Sequence, residues 1–155
     1  MPEQLVKLLT SKGIYIACAE SCTGGLIAAT ITSVPGASAC LEMSVVTYSN
    51  QAKTKLINVP ETMLKEYGAV SYEVAKAMAE GVRNLADSDI AIAVTGIAGP
   101  GGGTIEKPVG LVFIGIATKN GVEVTRCRFD GDRDQVRLQT VKKSLELAYN
   151  KAKEE

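Results

Sequence analysis

The 155-residue sequence predicts a single α/β domain spanning residues 1–155, a three-layer α/β/α sandwich around a mixed, mostly parallel sheet with one hairpin. Three observations predict it. Short apolar runs alternate along the chain with stretches whose apolar residues recur at helical spacing. Lys119-Asn120-Gly121 separates two apolar runs, and Asn-Gly is a strong hairpin signal that demands one antiparallel pairing. The composition, 46% hydrophobic and 22% charged, supplies a core of that size, and no repeat or linker divides it.

Taken in order, Leu5, Leu8 and Leu9 give an opening helix that Gly13 ends. Ile14 to Ala19 reads as a buried strand, followed by a helix over Gly24 to Thr32 that Val34-Pro35-Gly36 stops. Ser44 to Tyr48 is rich in β-branched residues and predicts a second strand, after which Asn50 is placed to cap a short helix through Leu56. Pro60 suits the first turn of another short helix, where its missing N–H costs nothing. Ser71 caps a longer one, with Val74, Met78, Val82 and Leu85 on its apolar face.

Asp89 to Thr95 predicts a third buried strand entering a glycine-rich loop, Gly96 to Gly103. Gly110 to Thr118 and Val122 to Phe129 form the hairpin, with Arg126 and Arg128 on its solvent face. Asp132 opens the last helix with Gln135 in capping-box position, and Leu138, Val141, Leu145 and Ala148 form its buried stripe.

Composition also excludes chemistry. With no histidine, Ser-His and Cys-His pairs and imidazole metal sites are ruled out, and the four cysteines make no CxxC pair. A general base must then be Lys, Tyr, Asp or Glu, and no metal or cofactor is expected. Seventeen basic and seventeen acidic residues cancel, and only seven residues are aromatic, so nucleic acid is not an expected partner. No apolar stretch is long enough for a membrane span or a signal peptide, and a cytoplasmic protein is expected.

Four segments are richer in functional groups than packing requires. Glu20-Ser21-Cys22-Thr23-Gly24-Gly25 lies at a strand-to-helix turn, where free N–H groups favour anions; Ser21 and Thr23 either cap the helix or serve a ligand. Tyr48 to Lys53 follows the second strand, and a desolvated Lys53 can act as a base near neutral pH; the alternative is a solvated helix carrying Lys53 and Lys55. Thr95 to Thr104 is glycine-rich but lacks the Lys-Ser/Thr ending of a P-loop, leaving either a loop shaped to a ligand or a plain mobile one. Arg133 in a first helical turn opposes the helix dipole unless an anion or an acidic neighbour offsets it.

Together these meet the needs of amide hydrolysis without imidazole: Ser21 as nucleophile, Lys53 as base, and main-chain N–H groups of Cys22 to Gly25 for the oxyanion. Cys22 is a second candidate nucleophile, since thiols at helix starts can ionise readily.

The segments AESCTGG, VTYSNQAK, TGIAGPGGG with EKPVG, and GDRDQVR occur in the order seen in the CinA carboxy-terminal domain family, and the chain resembles it from about residue 5 to 150. The resemblance to its stand-alone members, the nicotinamide-nucleotide amidases, implies metal-independent hydrolysis of nicotinamide mononucleotide to nicotinate mononucleotide and ammonia. It implies Ser21, Lys53, Tyr48 and Thr95 as catalytic residues. Thr23, Gly24, Gly25, Gly96, Arg133 and Arg137 are the implied substrate ligands, with Arg133 or Arg137 on the phosphate. A homo-oligomer is implied as well. The alternative is a nucleotide-binding module of the same fold without turnover. Met43 departs from the small residues of many relatives and is expected to reshape a pocket wall if it faces the site.

Overall fold

A computed structural model describes residues 1–155. Helix α1 (Pro2–Lys12) is closed by Gly13 in the left-handed region (φ 65°), a conformation that glycine adopts without a Cβ penalty. Strand β1 (Ile16–Glu20), helix α2 (Leu26–Thr32) and strand β2 (Leu41–Val46) follow. Three helices come next: α3 (Asn50–Ile57), α4 (Glu61–Tyr67) and α5 (Tyr72–Ala86). Then come β3 (Ile90–Gly96), the hairpin of β4 (Leu111–Thr118) and β5 (Gly121–Arg128), and α6 (Arg133–Glu154).

The sheet order is β2-β1-β3-β4-β5. The β2, β1 and β3 strands pair in parallel, while β4 runs antiparallel to both β3 and β5, so β4 alone opposes the rest. Helices α1, α2 and α6 cover one face, and α3, α4 and α5 cover the other.

Large and small residues alternate along the central strands. Ile16, Cys18, Ile90, Ile92 and Val94 join the core under α1, α2 and α6. Ala17, Ala19, Ala91 and Ala93 lie on the opposite face. The small face lets α5 approach closely: a Cβ at Gly115 would sit 2.9 Å from the Ala75 carbonyl oxygen. Because strand side chains alternate with period two, Ser21 continues the face of Ala19, Thr95 continues that of Ala93, and Glu20 faces the other way. Alternation thus sorts the site residues.

Several boundaries differ from expectation. Strand β2 occupies residues 41–46 instead of 44–48: its pairing with β1 begins at Leu41 opposite Ile16 and ends at Val46 opposite Glu20, with the Thr47 amide making the last contact, to the Glu20 carbonyl. Ser49, not Asn50, caps α3 by accepting the Ala52 amide. Helix α2 begins at Leu26, with Gly25 at its N-cap, and Pro60 is the N-cap residue of α4. Leu85 and Leu138 are exposed at the margins of their helices' apolar stripes. The Ser71 cap and the Asp132–Gln135 capping box form as read from the sequence. No helix is long and apolar enough to cross a membrane.

Candidate active site

The carboxyl ends of β1, β2 and β3 meet where the strand order reverses, β2 lying on one side of β1 and β3 on the other. This is the crevice at which open α/β sheets place ligands. A cleft of about 290 Å³ opens there, walled by Ser21, Cys22, Lys53, Thr95, Gly96, the glycine loop and Arg133.

Helix α3 delivers Lys53 into it. Lys53 and Ile57 lie four residues apart, hence on one helix face, and both are buried against the sheet while Lys55 is exposed. Only 1% of the Lys53 surface remains accessible. Its Nζ lies 3.1 Å from Ser21 Oγ, 2.8 Å from the Thr47 carbonyl oxygen and 3.3 Å from that of Tyr48. Burial lowers the lysine pKa from 10.5 to about 8, and no carboxylate pairs with it to reverse that effect. A neutral amine has two N–H donors and one lone pair. The two carbonyls take the donors, which leaves the lone pair for the Ser21 hydroxyl.

Tyr48 contributes its carbonyl, not its phenol, to Lys53. The phenol oxygen instead accepts from Arg133 Nη2 at 3.2 Å, and Arg133 Nη1 donates to the Gly99 carbonyl at 2.8 Å. Arg133 therefore ties the glycine loop to the segment after β2 across the cleft mouth. Thr95 lines the cleft, and its hydroxyl donates to the Ala69 carbonyl at 2.8 Å, fixing the loop before α5. At Gly96 a Cβ would lie 2.6 Å from Val112 Cγ2, so the β3 end has no room for a side chain.

Other expected ligands are turned elsewhere. Thr23 is fully buried and its hydroxyl donates to Glu20 Oε1 at 2.6 Å, so it does not reach the cleft. Gly24 and Gly25 do not line the cleft, and the Gly24 amide is spent on the Ser21 carbonyl. Arg137 does not line it either: its Nε donates to the Cys22 carbonyl at 3.1 Å and its Nη2 to that of Thr23 at 3.0 Å. Met43 sits mid-strand opposite Ala17, away from the carboxyl end, and forms no part of the wall. Burial pushes the Cys22 thiol up to about 11, against the low value a thiolate nucleophile needs.

Glu20 has no assigned role in the sequence reading, yet it organises the turn. Its fully buried carboxylate accepts from Thr23 Oγ1, the Ile27 and Ala28 amides at 2.8 and 3.1 Å, and Ser44 Oγ at 3.1 Å. Four donors and the start of α2 replace its lost hydration. An acid directly before a strand-to-helix turn was the available signal. No group of three or more Cys, Asp or Glu side chains is placed to hold a metal ion.

The CinA C-terminal domain family matches residues 1–152. CinA-like proteins of Geobacter sp. (strain M21) and Geotalea uraniireducens are 54% and 55% identical over 140 and 136 residues, 90% and 88% of this chain. These matches cover 34% and 32% of those proteins, so the chain spans about a third of the length of the curated relatives it matches. Among solved structures, the competence/damage inducible protein CihA from Agrobacterium tumefaciens aligns with a TM-score of 0.89 at 42% identity, covering 96% of this chain and 95% of that one. A CinA superfamily protein from Klebsiella pneumoniae aligns with a TM-score of 0.95 at 33% identity, covering 99% and 96%.

Proposed function

The chain belongs to the CinA C-terminal domain family, and from that premise we propose that it is an amidohydrolase converting nicotinamide mononucleotide to nicotinate mononucleotide and ammonia, with Ser21 as nucleophile and Lys53 as base. The observation that carries this reading is the 3.1 Å contact between Lys53 Nζ and Ser21 Oγ on an amine whose other partners are carbonyls. With the lysine pKa near 8, about a tenth of the amine is neutral at pH 7, against less than a thousandth for an unshifted lysine.

The neutral amine removes the Ser21 proton as Oγ bonds to the carboxamide carbon and the carbonyl π pair moves to oxygen. Lys53 then returns the proton to the amide nitrogen, the C–N bond breaks and ammonia leaves. Water, deprotonated by the same amine, attacks the acyl ester, and the carboxylate product departs as Ser21 recovers its proton.

Charge supports a phosphorylated substrate. No Asp or Glu lines the cleft, whereas Arg133 stands at its mouth with only a carbonyl and a phenol as partners. A phosphate offers that guanidinium a stronger, charge-assisted contact. The nicotinamide part of the proposal rests on the motif resemblance.

The test is ammonia release from nicotinamide mononucleotide, compared with its riboside, free nicotinamide and pyrimidine nucleotides. Release confined to the mononucleotide is expected. Tight binding of the mononucleotide without ammonia would overturn the enzymatic reading in favour of a binding module.

A further inference from the structure

We propose that Arg137 is a positioning residue that orients and polarises the Cys22 backbone amide as an oxyanion donor, and that it is not a ligand of the substrate phosphate. The inference rests on Ser21 being the nucleophile.

The argument follows the peptide groups of the turn. The carbonyl of one residue and the N–H of the next belong to one resonant unit and point in opposite directions. Arg137 Nε donates to the Cys22 carbonyl, which belongs to the same unit as the Thr23 N–H. That N–H points away from the guanidinium and donates to no protein acceptor, but Thr23 is fully buried and lines no part of the cleft, so this amide is not placed to meet an oxyanion. Arg137 Nη2 donates to the Thr23 carbonyl, whose unit carries the Gly24 N–H. The Gly24 N–H in turn donates to the Ser21 carbonyl at 3.0 Å, and that unit ends in the Cys22 N–H, also without a protein acceptor.

One hydrogen-bonded chain thus starts on the Arg137 cation, runs through the Thr23–Gly24 and Ser21–Cys22 peptide units, and ends on the free amide of Cys22, the residue that directly follows the nucleophile and lines the cleft. A donor on a carbonyl draws electron density from its amide nitrogen, and bonds in a chain strengthen one another in a low-dielectric setting. The Gly25 amide is also free, but Arg137 makes no hydrogen bond to the peptide unit that carries it.

The rest of the surroundings agree. Arg137 makes no ion pair, so its charge is directed at the two carbonyls alone. It reaches them from α6, more than a hundred residues away in sequence, and to grip a phosphate it would have to abandon both. Glu20 holds the turn from its other end through Thr23 Oγ1 and the first amides of α2. Cys22 itself lines the cleft beside Ser21.

The test uses the full chain, with Arg137→Gln and Arg137→Lys, and two readouts. The first is the rate at which an alkyl fluorophosphonate labels Ser21, followed by mass spectrometry. In that reaction the Ser21 proton passes to Lys53 as the Ser21 oxygen bonds to phosphorus, fluoride leaves, and the phosphoryl oxygen takes the place of the oxyanion. The second is kcat and KM for ammonia release from nicotinamide mononucleotide. Arg137→Gln is expected to lower the labelling rate and kcat by about ten- to a hundred-fold, with KM changed less than about threefold. Arg137→Lys keeps the charge but loses the fork, and is expected to fall between, as it is also expected to do if the Gln variant does not fold. Labelling at the wild-type rate in the variants overturns the proposal, as does a rise in KM with kcat unchanged, the signature of a phosphate ligand. If the wild-type chain is neither labelled at Ser21 nor active, the serine mechanism itself fails; the two failures are thereby told apart.

Discussion

Lys53 Nζ lies 3.1 Å from Ser21 Oγ and within hydrogen-bond reach of two carbonyl oxygens, so the charge on the amine decides which way the serine contact runs. Protonated, the amine donates all three bonds and the serine keeps its proton. Neutral, it has only two hydrogens, and the serine hydroxyl becomes the donor. Titration of one group switches the pair from resting to reactive.

Activity is therefore expected to rise with pH, with an apparent pKa of about 8 in kcat/KM, the value to which burial lowers Lys53. A rate profile flat between pH 6.5 and 9.5 would remove Lys53 from the role of base.

Replacing the nucleophile tests the other half. Ser21→Ala is expected to lower ammonia release by at least about a thousandfold, with the melting temperature little changed, because only one hydroxyl is removed. A fully active Ser21→Ala variant refutes the assignment. Alkylating agents are expected to leave wild-type activity intact, since the Cys22 thiol stays protonated at neutral pH.

The same lysine leaves a stability signature. Between about pH 8 and 10.5 the folded chain binds fewer protons at Lys53 than the unfolded chain, so its contribution to stability improves as pH rises through that window. Below pH 8 the buried cation is at its full cost, at most about 3 kcal/mol for a shift of this size. Lys53→Met is expected to be inactive yet more resistant to urea at pH 7, with its advantage shrinking toward pH 10.5. An advantage that grows with pH contradicts the assignment.

Glu20→Gln replaces an acceptor of four hydrogen bonds by a group that must turn two N–H donors toward them. A loss of about 2 kcal/mol in denaturant unfolding is expected, together with slower turnover as the Ser21 turn loosens. Unchanged stability would show that these contacts are worth little.

Gly81 of α5 offers a test of how Lys53 is held. In an exposed helix Gly→Ala gains about 1 kcal/mol. Here a Cβ would sit 2.0 Å from the carbonyl oxygen of Ile57, the last residue of the helix that carries Lys53. Gly81→Ala is expected to destabilise the chain and to lower kcat; a stabilised, fully active variant would show that α3 shifts freely.

The architecture was legible because the central strands are short, apolar and well separated by turn signals, and because Asn120-Gly121 and Asp132–Gln135 act locally. Strand β2 was misplaced by its position at the sheet edge, where half-exposed residues blur the alternation that marks a strand. Ser21, Lys53, Thr95 and Arg133 stood out as residues that packing does not explain, and the structure brings all four to one cleft. Glu20 escaped that filter because its partners are two hydroxyls and two amides of α2, and Arg137, implied as a phosphate ligand, instead holds main-chain carbonyls of the Ser21 turn from the far end of the sequence. A side chain's type does not reveal that its partners lie within the protein.

The big-and-small pleat of the central strands has a consequence for how this chain tolerates lesions. Shifting the first strand by a single position would exchange its last two inward and outward neighbours, setting the Glu20 carboxylate before the lysine and hiding the serine beneath the opposite helices. An amine locked in an ion pair would then face no hydroxyl at all. One residue inserted within Ile16–Glu20 is thus expected to abolish ammonia release.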